Sequence, residues 1–124
     1  MMKIEVSNGE ILDKLSIIEI KLEKITDPAK RRNLEKEYKI LEAVAGEILP
    51  KDHRLYQALL EVNRRLWDIE DTIRELERRK DFGSSFIETA RSVYHQNDRR
   101  AEIKREINEI TGSGLIEEKS YKPY

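Results

Sequence analysis

Seven apolar residues, Leu55, Leu59, Val62, Leu66, Ile69, Ile73 and Leu76, recur in alternating steps of four and three. A strand turns successive side chains to opposite faces and cannot gather this set, whereas an α-helix lines all of it along one stripe. The spacing therefore predicts a long helix over 52–80, with Arg78, Arg79 and Lys80 at the end where the helix dipole is negative. Such a stripe must be buried against other elements, which forces the rest of the chain to supply partners.

Three further segments carry the same periodicity between proline and glycine punctuation. A helix is expected over 8–25, with Ser7 and Glu10 at capping-box spacing and a seam of Ile11, Leu15, Ile18, Leu22 and Ile25. A second runs from Asp27 as N-cap and Pro28 at the first helical position to a stop at Pro50, with the seam Leu34, Tyr38, Leu41, Ala45 and Ile48. The last spans 85–111, opened by Ser85 and Glu88 at capping-box spacing and closed by Gly112. Residues 2–6 have the composition of a short strand with nothing in the chain to pair with. The expected fold is all-α: an antiparallel four-helix bundle or two packed helical hairpins over 1–114, followed by a polar tail over 115–124. Leu115 and Ile116 are placed to pin the start of that tail. Ile17 and Ile20 fall off the first seam, either as scattered surface residues or as a homodimer contact.

Composition narrows the function classes. No run approaches the roughly 18 apolar residues of a membrane span, and the polar start does not read as a signal peptide. There is no cysteine, and 24 basic side chains stand against 25 acidic ones, for a net charge of −1. Disulfide frameworks and thiolate sites are thereby excluded, an intracellular, cytoplasmic address fits, and no bulk charge favours nucleic acid or anionic lipid. The runs Lys30-Arg31-Arg32, Arg64-Arg65 and Arg99-Arg100 are interleaved with acids and read as solvated faces. Only the crowding of cations at the start of the second helix, where the dipole disfavours them, calls for an acidic neighbour.

Polar residues where a seam should be apolar carry the functional signal, because burying them is costly unless they are paired or wet. The last helix begins inward with Phe86, Ala90 and Val93, and continues at the same spacing with Asn97, Ala101, Lys104 and Asn108. Arg100 lies beside that stripe, and Arg91 and Tyr94 flank it. The third helix bears a parallel stripe of Asn63, Trp67, Glu70 and Arg74, and Glu19 edges the first seam. If these groups converge, they form either an interhelical pocket for a small anionic or polar metabolite or an ion-pair and amide network that fixes helix register. In the pocket reading Arg74, Arg100 and Lys104 are the anion ligands, Glu70 orients them or acts as a catalytic base, and Asn63 and Asn97 orient the ligand. Trp67, Arg91, Tyr94 and Asn108 complete its lining. In the rival reading the chain is a non-enzymatic protein–protein interaction module.

Other motifs carry less. Asp81-Phe82-Gly83 matches the kinase magnesium tripeptide in letters alone and reads as a turn with Phe82 packed back on the bundle. No glycine-rich phosphate loop exists, and His53 and His95 sit apart as surface residues, with no metal-ligand spacing. The pairs Glu10/Asp13, Asp68/Asp71 and Glu106/Glu109 have the spacing of helical pyrophosphohydrolases but are expected to face mostly outward. The order of motifs does not fit a helical chorismate mutase. The identity of any cofactor is left open by the sequence.

Several of these segments carry a resemblance. Gly9-Glu10-Ile11-Leu12-Asp13-Lys14-Leu15 with its continuation to Lys21, Asn63 through Trp67-Asp68-Ile69-Glu70-Asp71, Asp81-Phe82-Gly83, Ala90-Arg91-Ser92-Val93-Tyr94 through Asn97-Asp98-Arg99-Arg100-Ala101, and Glu117-Glu118-Lys119-Ser120-Tyr121 resemble a family of small uncharacterised helical proteins of bacteria and their phages. The resemblance spans nearly the whole chain and implies no catalytic role for any residue. It includes the tail, which reads either as a disordered polar end or as a strap closing the polar site.

Overall fold

The computed structural model of the protein describes residues 1–124. Four helices form, α1 Asn8–Lys24, α2 Pro28–Ala45, α3 Arg54–Arg78 and α4 Ser84–Thr111, and residues 2–6 form no strand.

Helix ends follow local chemistry, with four departures from the sequence reading. Ser7 caps α1 by accepting the Glu10 amide at 3.2 Å, but Glu10 does not reach back to complete the box; its carboxylate goes to Lys104. Asp27 caps α2 through the Lys30 amide at 3.0 Å, yet α2 stops at Ala45, five residues before Pro50, where the chain turns through Gly46. His53 is itself the N-cap of α3, its Nδ1 accepting the Leu55 amide at 3.1 Å. No side chain caps α4: its N-cap is Gly83, and the expected Ser85–Glu88 box does not form. Gly112, at φ 66°, closes α4 as expected. At the end of α3 the amides of Lys80 and Asp81 bond to the carbonyls of Glu77 and Leu76 at 3.0 and 2.9 Å. This is a Schellman arrangement whose left-handed position is held by Lys80 at φ 55° rather than by glycine.

The cation crowding at the start of α2 also has its explanation. Arg31 Nη1 donates to the carbonyls of Leu22 and Ile25 at 2.6 and 2.9 Å. It serves the negative end of α1, with the Glu35 carboxylate as an acidic neighbour 3.8 Å from its Nη2, and so ties the α1–α2 corner.

The architecture is two packed helical hairpins, α1–α2 and α3–α4, with α1 at the seam between them. The α1 helix packs against α2 on one side and against α3 and α4 on the other, while the α2 backbone approaches no other helix. The core gathers Leu12 and Leu15 of α1, Ala45 of α2, Leu55, Tyr56, Leu59 and Val62 of α3, and Ile103 and Ile107 of α4. Tyr56, 1% exposed, donates its hydroxyl to Glu19 Oε2 at 2.6 Å. Ile20, expected off the seam, is also 1% exposed and belongs inside, whereas Ile17 is half-buried.

Length decides where the core ends. At about 1.5 Å per residue, α3 and α4 run to about 37 and 42 Å and α1 to about 25 Å, so the α3–α4 hairpin overhangs α1. Among residues 68–95 only Leu76 is buried. The sequence reading of α4 is thereby reversed: Phe86, Ala90 and Val93 are only half-buried, and the core half is the later one, where Ile103 and Ile107 flank Lys104 and Asn108. Phe82 is 52% exposed at the tip, edge-on to Phe86 at 5.3 Å. Leu115 and Ile116 are exposed and pin nothing.

Close contact of α1 with α4 depends on Gly9. A Cβ there would stand 2.6 Å from the Lys104 carbonyl oxygen and 3.1 Å from Asn108 Oδ1. Gly9→Ala is expected to lower the unfolding free energy by about 1–3 kcal/mol through overpacking. Lys80→Gly is expected to raise it by about 1 kcal/mol by relieving a left-handed non-glycine residue. Urea denaturation of both variants reads the two opposite signs.

Candidate functional site

Gly9 lets the first turns of α1 lie against α4, and Asn108 accepts the Gly9 amide at 2.7 Å on Oδ1. One turn further along α1, Asp13 points between α3 and α4. Its side chain is 1% exposed, and a carboxylate this deep must be matched by donors. Arg100 grips it with two bonds, Nε to Oδ1 at 2.9 Å and Nη2 to Oδ2. Asn63 Nδ2 donates to Oδ1 at 2.9 Å and to Ser16 Oγ at 2.7 Å. The Ser16 hydroxyl returns its proton to the Asp13 carbonyl oxygen at 2.7 Å. Lys104 Nζ stands 3.9 Å from Oδ2. One carboxylate thus ties three helices.

Lys104 carries the network outward. Its ammonium donates to Glu10 Oε2 on α1 and to Glu117 Oε2 in the tail, both at 2.7 Å. Burial works against this ammonium, but the hydrogen bonds to Glu10 and Glu117 and the field of Asp13 outweigh it and hold its pKa above the ordinary lysine value. Arg100 is held further into its charged form by the hydrogen bond to Asp13, against a smaller effect of burial. Lys104 lowers the Glu117 pKa in turn.

Two surface openings meet at Arg100. One is a polar pit of about 240 Å³ whose charged and amide lining is Glu10, Asn97, Arg100, Lys104, Glu117 and Lys119. The other is a groove of about 300 Å³ beside the α1–α3 contact, with Ile17, Leu66 and Trp67 as its walls and Glu70 and Arg74 at its rim. Arg100 Nη1 enters no hydrogen bond or ion pair within the protein, although Nε and Nη2 are both engaged by Asp13.

The residues singled out by sequence separate into groups. Asn63, Arg100 and Lys104 converge on Asp13. Asn108 belongs to the Gly9 contact and lines neither opening. Asn97 lines the pit, and Trp67, Glu70 and Arg74 line the groove. Glu70 and Arg74 are exposed and ion-paired with each other along α3, so Glu70 orients neither Arg100 nor Lys104. Arg91 and Tyr94 lie further up α4 on the surface, Arg91 Nε 3.4 Å from the Tyr94 hydroxyl, with Tyr94 stacked on His95 and Tyr124. Neither lines the pit or the groove, but Tyr94 lines a third opening between α4 and the tail. Glu19 is committed to Tyr56.

Sequence reading missed Asp13 and placed the Glu10/Asp13 pair outward. A signal was present. Ile11, Leu12, Leu15, Ile17, Ile18 and Ile20 spread apolar character around most of α1 rather than along one stripe, which marks a helix covered on several sides. An acid on such a helix has little solvent to face. Buried polar groups are otherwise satisfied, Gln96 Oε1 being the one side-chain atom without a partner. No three His, Asp or Glu side chains converge closely enough to hold a metal ion.

Asp13→Ala leaves the Arg100 and Lys104 cations facing an empty interior and is expected to lower the unfolding free energy by about 3 kcal/mol or more. Glu70→Ala and Arg74→Ala, on an exposed pair, are expected to stay within about 0.5 kcal/mol of the parent in the same denaturant titration. Tail docking should follow the Glu117 carboxyl. Its pKa is lowered on docking, so the stabilisation is fully present above the free glutamate value and is lost as pH falls through the lowered one. At the alkaline end the raised Lys104 pKa keeps the bond intact past the ordinary lysine value. The chemical shift of Lys104 Nζ, followed by NMR against pH, is expected to hold its docked value at neutral pH and to lose it as Glu117 is protonated in acid.

No helix is long and apolar enough to cross a membrane. No curated protein and no solved structure matches this chain. Residues 2–124 do match the family of unknown function DUF6165, in keeping with the resemblance carried by the α1, α3, α4 and tail segments, and the chain belongs to that family.

Proposed function

We propose that this is a cytoplasmic protein that binds a small anionic or polar metabolite where the pit and groove meet. The observation that carries the reading is Arg100. Its guanidinium is clamped by a buried carboxylate, which fixes its plane, while Nη1 keeps its donors uncommitted and the residue borders both openings. A fixed guanidinium with a free edge suits planar recognition of a carboxylate or phosphate. Asn97 adds an amide on one side, and Trp67 with Leu66 and Ile17 adds an apolar wall for the ligand's body on the other. Arg74, at the groove rim, is a second cation within the same opening. Glu70 lies beside it, too exposed and too fully paired to support a base role, and binding is the reading we favour over catalysis.

The test is thermal melting against phosphorylated, carboxylated and nucleotide-sugar metabolites. A ligand at about one hundred times its dissociation constant adds about 2.7 kcal/mol, a rise of several degrees for a domain of this size. The rise is expected to shrink in Trp67→Ala, which leaves the Asp13 network untouched, and to vanish in Arg100→Lys. A shift that persists in both variants places the ligand elsewhere, and a flat panel turns the reading toward its rival.

That rival, a helical interaction module, rests on a different observation. The α3–α4 overhang is only two helices thick, and Phe82 and Ile87 are 52% and 56% exposed on it. A homodimer through this end is the form it would take. Sedimentation of the protein and of Phe82→Glu distinguishes it: a concentration-dependent dimer abolished by the substitution supports it, and a monomer at all concentrations removes it.

A further inference from the structure

The tail is fastened to α4 without a hydrophobic anchor. Glu117 bonds to Lys104 at 2.7 Å and Glu118 to Arg105 at 3.1 Å. The Tyr124 ring lies 5.1 Å from that of Tyr94 and 4.8 Å from that of His95. Leu115, Ile116 and Tyr121 all remain exposed. Between its anchors the tail does not lie flat. A space of about 860 Å³ separates it from α4, walled by Val93, Asn97 and Ala101 below and by Lys119, Tyr121 and Tyr124 above. This space shares Asn97, Ala101 and Lys119 with the polar pit, so the two lie side by side.

We propose that the polar pit is a carboxylate-binding site which the chain fills with its own Glu117, and that a carboxylate ligand enters by displacing that side chain and lifting the tail. The inference rests on the metabolite-binding reading above and assigns its ligand class. The Lys104 ammonium has three N–H donors. Glu10 and Asp13, both on α1, are fixed partners of Lys104, whereas Glu117 arrives on a segment that can leave. What departs is one singly charged carboxylate, and what replaces it one for one is another. A phosphate dianion brings a second negative charge against Glu10 and Asp13, on a site where two α1 carboxylates already balance Arg100 and Lys104. Asn97 then stands at the junction of the pit and the strapped space, positioned to hydrogen-bond a group next to the ligand's carboxylate, and the space beneath the strap takes the ligand's body.

The experiment is an NMR titration of the full-length protein with propionate, which reproduces the Glu117 side chain beyond its Cα, and in parallel with inorganic phosphate. The expected result is that propionate shifts the Lys104 and Asn97 resonances and moves the amides of residues 117–124 toward random-coil positions, while phosphate at equal concentration does not. If the tail is docked in about nine molecules in ten, Glu117→Gln and a chain ending at Gly114 should bind propionate about tenfold more tightly than the parent. Both changes remove only exposed groups, and a melt that stays cooperative and falls by no more than the roughly 1.4 kcal/mol to which tenfold docking corresponds confirms that the comparison is between folded proteins. Equal affinity in parent and variants overturns the displacement. Propionate that leaves Lys104 unmoved in all three chains, or phosphate that releases the tail in its place, overturns the assignment of the ligand class. In either case a metabolite whose thermal shift depends on Trp67 and Arg100 still stands, so failure here is separable from failure of the broader reading.

Discussion

A single buried carboxylate sets the arrangement of this protein. Asp13 of α1 has almost no solvent contact, and the two helices packed on that side send it cations and an amide: Asn63 from α3, Arg100 from α4, and Lys104 from the next turn of α4. A charge buried this way is weak evidence for net stability, since an apolar trio of similar volume can do as well or better. What it supplies is uniqueness of register. Sliding α1 by one turn against α4 strands both the acid and its cations, whereas sliding one leucine stripe along another merely exchanges leucines. Gly9 belongs to the same device, because without its close approach to the Lys104 carbonyl the carboxylate stands too far from its partners.

The same arrangement reconciles the two meanings of the inward polar stripe. Network and site are concentric rather than exclusive. The inner ring, Asp13 with Asn63 and Ser16, is buried, and Asn63 also borders the groove. The outer ring, Arg100 and Lys104, faces Asp13 with some of its donors and the openings with the rest. A cation oriented from behind by a fixed acid loses little freedom when a second anion arrives in front, which is the general advantage of a preorganised site.

Much of this was legible in the sequence and some was not, for identifiable reasons. The seam from Leu55 to Leu76, Asp27-Pro28 and Gly112 each act through neighbours three or four residues away, and such local effects survive being read one segment at a time. The breaks at Asn63, Arg100 and Lys104 were visible because a polar residue on an apolar stripe is conspicuous. Asp13 was not, because its burial depends on α1 being the helix that packs against the second hairpin, a property of the assembly and not of any one segment. The reading of α4 failed for a related reason. Phe86, Ala90 and Val93 have core-like spacing, but α1 is too short to cover them, and the true inward pair, Ile103 and Ile107, is found only when the first turns of α1 are known to lie there. The role of Arg31 is equally non-local: it makes sense at the start of α2 only because it reaches back to the last carbonyls of α1.

The two-hairpin layout has a kinetic consequence. Within each hairpin the helices are neighbours in sequence and meet across short turns, so their pairing closes small loops. The bonds that join the hairpins do not: Asn63 reaches Asp13 across 50 positions and Arg100 reaches it across 87. Closure entropy rises with separation, and contacts of that range are the ones a chain secures late. The hairpins can therefore be well formed while the acid between them is still wet, and the last event in assembly is the drying of one carboxylate. The protein's slowest motions should start at the same place, since the seam that closes last is also the one whose opening leaves most of each hairpin intact.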